Sequence, residues 1–219
     1  MSRERTLICL PAAVLGLAGV ILTSGVHAAT VISEALYDAA GTDNGNVFVE
    51  LYGTPGTLLD GVSLEGVNGS DGSVYLTLPL AGKIPGDGIF VVADDAGDGS
   101  SLVGNADLVV NMDFQNGPDS IVLRDTAGIL DALGYGDFSG GVFAGEGAAA
   151  PDAPAGSSLA RLDPRVDSGD NLSDFTVLDT PTPGSVPVSS VPLPPALALF
   201  FSGIGGLIAV SRRRTGSTD

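Results

Sequence analysis

Apolar and polar residues alternate with a period of two through much of the middle of this chain. Asn46–Tyr52, NVFVELY, has the clearest pattern: Val47, Val49 and Leu51 would face one way, and Phe48, Glu50 and Tyr52 the other. The same reading predicts strands at Val31–Tyr37, Leu58–Leu64, Ser73–Leu78, Leu108–Met112, Ser120–Arg124 and Ile129–Tyr135. Gly88–Ala93, GIFVVA, is a continuous apolar run and predicts a central strand. Asp125-Thr126-Ala127-Gly128 is a short Gly-containing connection and predicts a hairpin between its two flanking strands. No segment between the two ends sustains a 3.6-residue apolar period. With 32 Gly and 14 Pro in the chain, the economical fold is an all-β sandwich. Ser139–Ser157, rich in Gly, Ala and Pro, is expected to be a loop.

The two ends break the pattern. Arg3 and Arg5 precede the apolar stretch Leu7–Leu22, and small residues follow at Val26-His27-Ala28. That order is the pattern of a secretory signal peptide over residues 1–28. Cleavage is expected after Ala28, with Ala29 as the second choice; a permanent N-terminal anchor is the alternative. Near the other end, Val191-Pro-Leu-Pro-Pro195 leads into the uncharged run Ala196–Val210, and Arg212, Arg213 and Arg214 stop it. As a helix, residues 196–210 would be about 22 Å long at ~1.5 Å per residue, short of the roughly 30 Å hydrocarbon core. Counting from Val191 reaches about 30 Å, although the prolines distort that extra turn. The arginines favour the cytoplasmic side, which puts everything upstream outside. A buried helix of a soluble domain is the alternative, but the run carries only Ser202 as a polar side chain.

Removing both ends sharpens the charge. The chain of 219 residues has a formal net charge of −17 and a pI near 4.1. Only Glu4 and Asp219 among the acids lie outside the core, against Arg3, Arg5 and Arg212–Arg214 among the nine bases, so the core keeps 24 acids and four bases. Nucleic acid is a poor partner, because a phosphate backbone needs Lys and Arg to displace its counterions. The single Cys (Cys9) and single His (His27) also fall in the N-terminal segment, and the chain has no Trp. The core therefore has no disulfide, no Cys/His zinc site and no imidazole base. It must fold mainly by burying its Phe, Tyr, Val and Leu, at about 25 cal/mol per Å².

VPLPPALALFFSGIGGLIAVSRRR resembles the PEP-CTERM class of bacterial sorting tails, in its VPLPA-like variant. The resemblance covers Val191–Arg214, with Val191, Pro192, Leu193 and Pro194 as the entry motif and Arg212, Arg213 and Arg214 as the basic cluster. It implies a Gram-negative source, transient anchoring in the inner membrane, and an exosortase as partner and processing enzyme. It further implies delivery to the cell surface or to an exopolysaccharide matrix. The preceding residues 180–190, with Pro181, Pro183 and Pro187, are expected to be a stiff extended linker.

The core resembles a lamin-tail domain. The matching pieces are VISEALYD, FVELYG, LDGVSLEG, LPLAGKIPGDGIFVVADD, GPDSIVLRDTAGILDALGYGDF and the closing SSLARLDPRVDSGDNLSDFTVLDTPTPGS. The chain departs from that family at Val62, where Trp is common, and at Gly53, where Asn is common. The resemblance implies an immunoglobulin-like β-sandwich over 29–179, flanked by a signal helix and a short transmembrane helix.

Acids are abundant, but no local pattern singles out a catalytic pair; most sit beside Gly, Asn or Pro, where turns place them. Calcium is the more plausible inorganic partner, since it takes roughly six to eight oxygen ligands. The candidates are Asp94, Asp95 and Asp98 in one loop, and Asp167 and Asp170 between Asp163 and Asp174 in another; neither has the EF-hand spacing, and ordinary Asp-rich turns are the alternative. Glu34 and Glu50 stand within strands and are expected to bond turn backbone, or Arg124 or Arg161. The expected function is a non-enzymatic surface or matrix module without a required cofactor; the alternatives are an accessory binding module of a secreted enzyme system, a calcium-binding adhesion module, and a carboxylate-based hydrolase.

Overall fold

The computed structural model describes residues 30–186. The cleavage positions Ala28 and Ala29, and the sorting residues Val191, Pro192, Leu193, Pro194, Arg212, Arg213 and Arg214, lie outside the described residues. Within them the chain forms β1 (Val31–Leu36), β2 (Phe48–Tyr52), β3 (Ser63–Asn68), β4 (Val74–Pro79), β5 (Ile89–Asp94) and β6 (Leu108–Val110). Then come β7 (Asp119–Arg124), β8 (Ile129–Tyr135), β9 (Ser158–Arg161), the single-turn α1 (Asn171–Asp174) and β10 (Phe175–Leu178). Apart from that single helical turn, the described residues are all-β.

The strands form two sheets. One has six strands in the order β10-β9-β1-β2-β5-β6, the other four in the order β4-β3-β7-β8. Every pairing is antiparallel except β5 with β6. Ile32, Val49 and Leu51 from the larger sheet share one buried cluster with Leu64, Ile121 and Leu133 from the smaller. In β2 the alternation works as written: Val49 and Leu51 go to one face, and Glu50 goes to the other, opposite Glu34 of β1. β7 and β8 form the expected hairpin, with Asp125 accepting the Ala127 and Gly128 N–H groups at 2.7 and 2.9 Å.

Three segments differ from the pattern reading. The strand expected at Leu58–Leu64 begins only at Ser63. Gly61 sits at φ +85°, which turns the chain there, and Leu58 makes only an isolated bridge to Lys83. β9 and β10 carry no clean alternation: all four β9 residues are buried, including Arg161. Finally, the described part of the expected extended linker is folded back. Ser185 N–H donates to the Thr182 carbonyl at 2.9 Å, and Gly184 has φ +81°. Thr-Pro-Gly-Ser supplies what a type II turn needs, Pro at the second position and Gly at the third.

Candidate functional site

Arg161 is the centre of the most heavily charged interior region. Its side chain is fully buried on β9, and all three guanidinium nitrogens are used. Nε donates to the Ile32 carbonyl at 3.0 Å, Nη1 to Asp174 at 2.9 Å, and Nη2 to both oxygens of Asp131 at 2.9 and 2.7 Å. Asp167 stands 3.5 Å from Nη1, and the guanidinium lies over the Phe175 ring, 4.6 Å from its centroid. A buried charge is tolerable only when paired and hydrogen-bonded, and this arrangement meets both conditions.

The chain holds these groups in place from several directions. Asp131 on β8 also accepts the Ile32 N–H at 2.6 Å and the Ala132 N–H at 2.9 Å, so it ties β8 to β1 across the two sheets. Asp174, at the end of α1, accepts from Ser168 N and Oγ. Fully buried Asn171 accepts from Gly134 and Glu146 N–H at 2.8 and 2.9 Å and donates to the Ala132 carbonyl. Those bonds hold the Glu146 backbone beside the cluster.

One oxygen each from Asp131, Glu146 and Asp167 comes within 4.8 Å of the others, an arrangement that could hold a metal ion. The donor chemistry limits the fit. Each Asp131 oxygen already accepts two hydrogen bonds, one from Arg161 and one from backbone, which uses its lone-pair sites. Glu146 Oε2 is buried without a hydrogen-bond partner. Glu146 and Asp167 therefore keep free acceptor capacity, far fewer oxygens than calcium's usual six to eight. Burial, then the negative charges of Asp131 and Asp167, push the Glu146 carboxyl up to about 7. Burial likewise raises Asp131 above its ordinary range, against the pull of Arg161.

The sequence candidates are placed as follows. Asp94 is buried and accepts the Gly45 and Met112 N–H groups at 2.6 and 2.8 Å. Asp95 accepts from Gly97, Asp98 and Gly99 N–H, and Asp98 from Ser100, whose hydroxyl holds the Asp98 carboxyl below its usual range. These oxygens close a turn rather than converge on a common point. Asp170 caps α1 through the Leu172 N–H and also takes the Ala148 N–H. Of the five, only Asp167 belongs to the carboxylate cluster; Asp131, Glu146 and Asp174 were not among them. The one sequence signal was scarcity: Arg161 is one of just four bases in a core with 24 acids.

Glu34 and Glu50 bond to turn backbone, as one of the two readings had it, but not to the arginines. Arg161 is committed to the cluster above, and Arg124 pairs with Glu65 at 3.4 Å. Glu34 accepts from Ser158 Oγ at 2.5 Å, Thr182 N at 2.8 Å and Thr182 Oγ1 at 2.7 Å. Glu50 accepts from Ser33 Oγ and Gly184 N, each at 2.7 Å. No family model matches the chain, and no curated protein or solved structure matches it either.

Proposed function

We propose that this protein is an exported, non-enzymatic module of the cell surface or extracellular matrix. In this reading the N-terminal segment carries it across the inner membrane. An exosortase then recognises Val191, Pro192, Leu193 and Pro194 with the basic cluster Arg212, Arg213 and Arg214, and the acidic domain is displayed in or released into an exopolysaccharide layer. The domain itself is an immunoglobulin-like sandwich of the lamin-tail kind, which the two sheets with a shared core support.

The observation that carries the reading is the order and placement of the parts. Val186, the last described residue, packs against the domain core, and the sorting motif begins five residues later. The buried ionisable groups support a structural role for the interior, since Arg161, Asp131, Asp94, Glu34 and Glu50 are each bound to backbone or to one another. Mass spectrometry of the protein from its native envelope tests the proposal. Loss of the chain from near Val191 supports processing. Full-length protein dissolved in the cytosol with both ends attached overturns the reading.

An accessory role for a secreted enzyme is separated from matrix display by pull-down: a catalytic partner chain favours the first, matrix polysaccharide the second. A calcium-binding adhesion module is the second reading, favoured by the unpartnered Glu146 oxygen beside Asp131 and Asp167. Calorimetric titration with calcium decides it: heat that disappears in Glu146→Gln supports the site, and no heat at millimolar calcium ends it.

A further inference from the structure

The segment 181–186 lies across the outer face of the six-stranded sheet, and two glutamates hold it there. β1 slips register between Ile32 and Glu34, so Ser33 and Glu34 both come opposite Glu50. That bulge lets the Ser33 hydroxyl reach Glu50 Oε1, while Glu34 and Glu50 stand side by side on one face, 1% and 0% exposed. Like charges directly opposite one another on neighbouring strands repel. Among the described residues the hydrogen bonds to this pair come from neutral donors: Ser33, Ser158, and from the segment itself Thr182 N, Thr182 Oγ1 and Gly184 N.

We infer that residues 181–186 are a releasable strap, docked through the Glu34–Glu50 pair, whose undocking lengthens the tether between the β domain and the C-terminal tail. This goes beyond the export reading and does not depend on it. The strap closes no sheet: β10 ends at Leu178 with its β9 register complete, and β1, β2 and β5 pair without help from residues 181–186. Its grip is mostly polar, with Val186 as its contribution to the apolar core. Gly184 fits closely, with a Cβ there coming within 2.5 Å of Asn105 Nδ2 and 2.7 Å of Asn105 Cβ; Asn105 Nδ2 in turn donates to the Pro183 carbonyl at 3.0 Å. Release of residues 181–186 would add up to about 20 Å of reach at ~3.3 Å per residue.

Burial raises the Glu50 carboxyl above its ordinary range and the Glu34 charge raises it further, while the Ser33 hydroxyl and the Gly184 N–H pull it down. Two further acids line the same cavity as Gly184: Asp107, which accepts the Val91 N–H at 2.9 Å, and Asp87. Docking supplies a donor to the Glu50 carboxylate as well as covering it.

Amide hydrogen exchange on the full-length chain tests the strap, with Val177 and Leu159 as internal references in the sheet. The Thr182 and Gly184 amides are expected to be protected. Gly184→Ala, which adds a clashing Cβ at a left-handed position, should cost those two sites about tenfold or more in protection, the scale of a lost charge-assisted hydrogen bond. The references should not change. Glu50→Gln, which replaces the carboxylate that accepts the Gly184 N–H, should lower protection at Gly184 while the references hold. Unprotected Thr182 and Gly184 amides in the unaltered chain, an unchanged exchange rate in Gly184→Ala, or an equal loss of protection at Val177 and Leu159 would each overturn the strap.

Discussion

Arg161 Nη2 lies 2.9 and 2.7 Å from the two carboxylate oxygens of Asp131, and neither side chain is exposed. The pair joins β9 of the larger sheet to β8 of the smaller, and Asp131 continues the link to the β1 backbone through Ile32 N–H. It is a polar tie through an otherwise apolar interface, and its worth lies in what its loss would strand.

Arg161→Met should leave Asp131 and Asp174 buried without their cation. The expected loss is about 3–5 kcal/mol, the usual cost of stranding one partner of a buried pair. Adding Asp131→Asn to that variant should recover part of it, because one orphaned charge is then gone. Urea unfolding of the two variants beside the unaltered protein measures both effects; equal midpoints throughout would refute the tie.

Acidity should act on Glu146 in the opposite sense from most carboxylates. Its folded value is raised from 4.5 to about 7, chiefly by burial. A raised value means that the folded state binds the proton more tightly than the unfolded chain does. Its contribution to stability is therefore complete below 4.5 and is lost as the pH rises through about 7. Glu146→Gln should flatten the pH dependence of the unfolding midpoint across that window. A variant with the same slope as the parent would show that Glu146 titrates normally.

Tyr37→Phe isolates a polar contribution from a packing one. The Tyr37 ring stacks on Tyr135 with centroids 4.1 Å apart, and its hydroxyl donates to Asp152 at 2.8 Å while accepting the Ala153 N–H at 2.7 Å. Phe keeps the stack and strands the buried Ala153 N–H, at a cost of about 1–3 kcal/mol. Thermal unfolding reads the loss, and it should fall on the fold as a whole.

Two glycines should respond in opposite ways to the same substitution. A Cβ at Gly69 would stand 2.0 Å from the Pro118 carbonyl oxygen, a backbone atom, whereas a Cβ at Gly104 meets nothing within 4 Å. Gly69→Ala should destabilise by about 1–3 kcal/mol or more through overpacking. Gly104→Ala should be neutral or stabilise by about 0.4–1 kcal/mol, by restricting the unfolded chain. Paired denaturant melts compare them directly.

The β architecture was legible where the two faces of a strand differ in chemistry, because a two-residue alternation then records the pleat directly. Val47, Val49 and Leu51 against Glu50 show this in β2, and Gly88–Ala93 was recognisable from unbroken apolarity. The acidic loops were less legible for a related reason. Asp95, Asp98 and Asp170 are turn and cap residues, and a local sequence cannot distinguish a carboxylate that takes a backbone N–H from one that awaits a cation.

By itself the sequence determined the class of fold, the acidity of the core and the absence of thiol and imidazole from it, since these follow from composition and from the two-residue period. Tertiary structure decided the rest. It buried Arg161 beside Asp131, 30 residues away, and set Glu34 against Glu50 beneath Thr182, 148 residues from Glu34. It also turned the described part of a proline-rich stretch that reads as an extended linker back onto the sheet. Those outcomes depend on which strands become neighbours, and a charge or a turn has no partner until the chain has chosen its register.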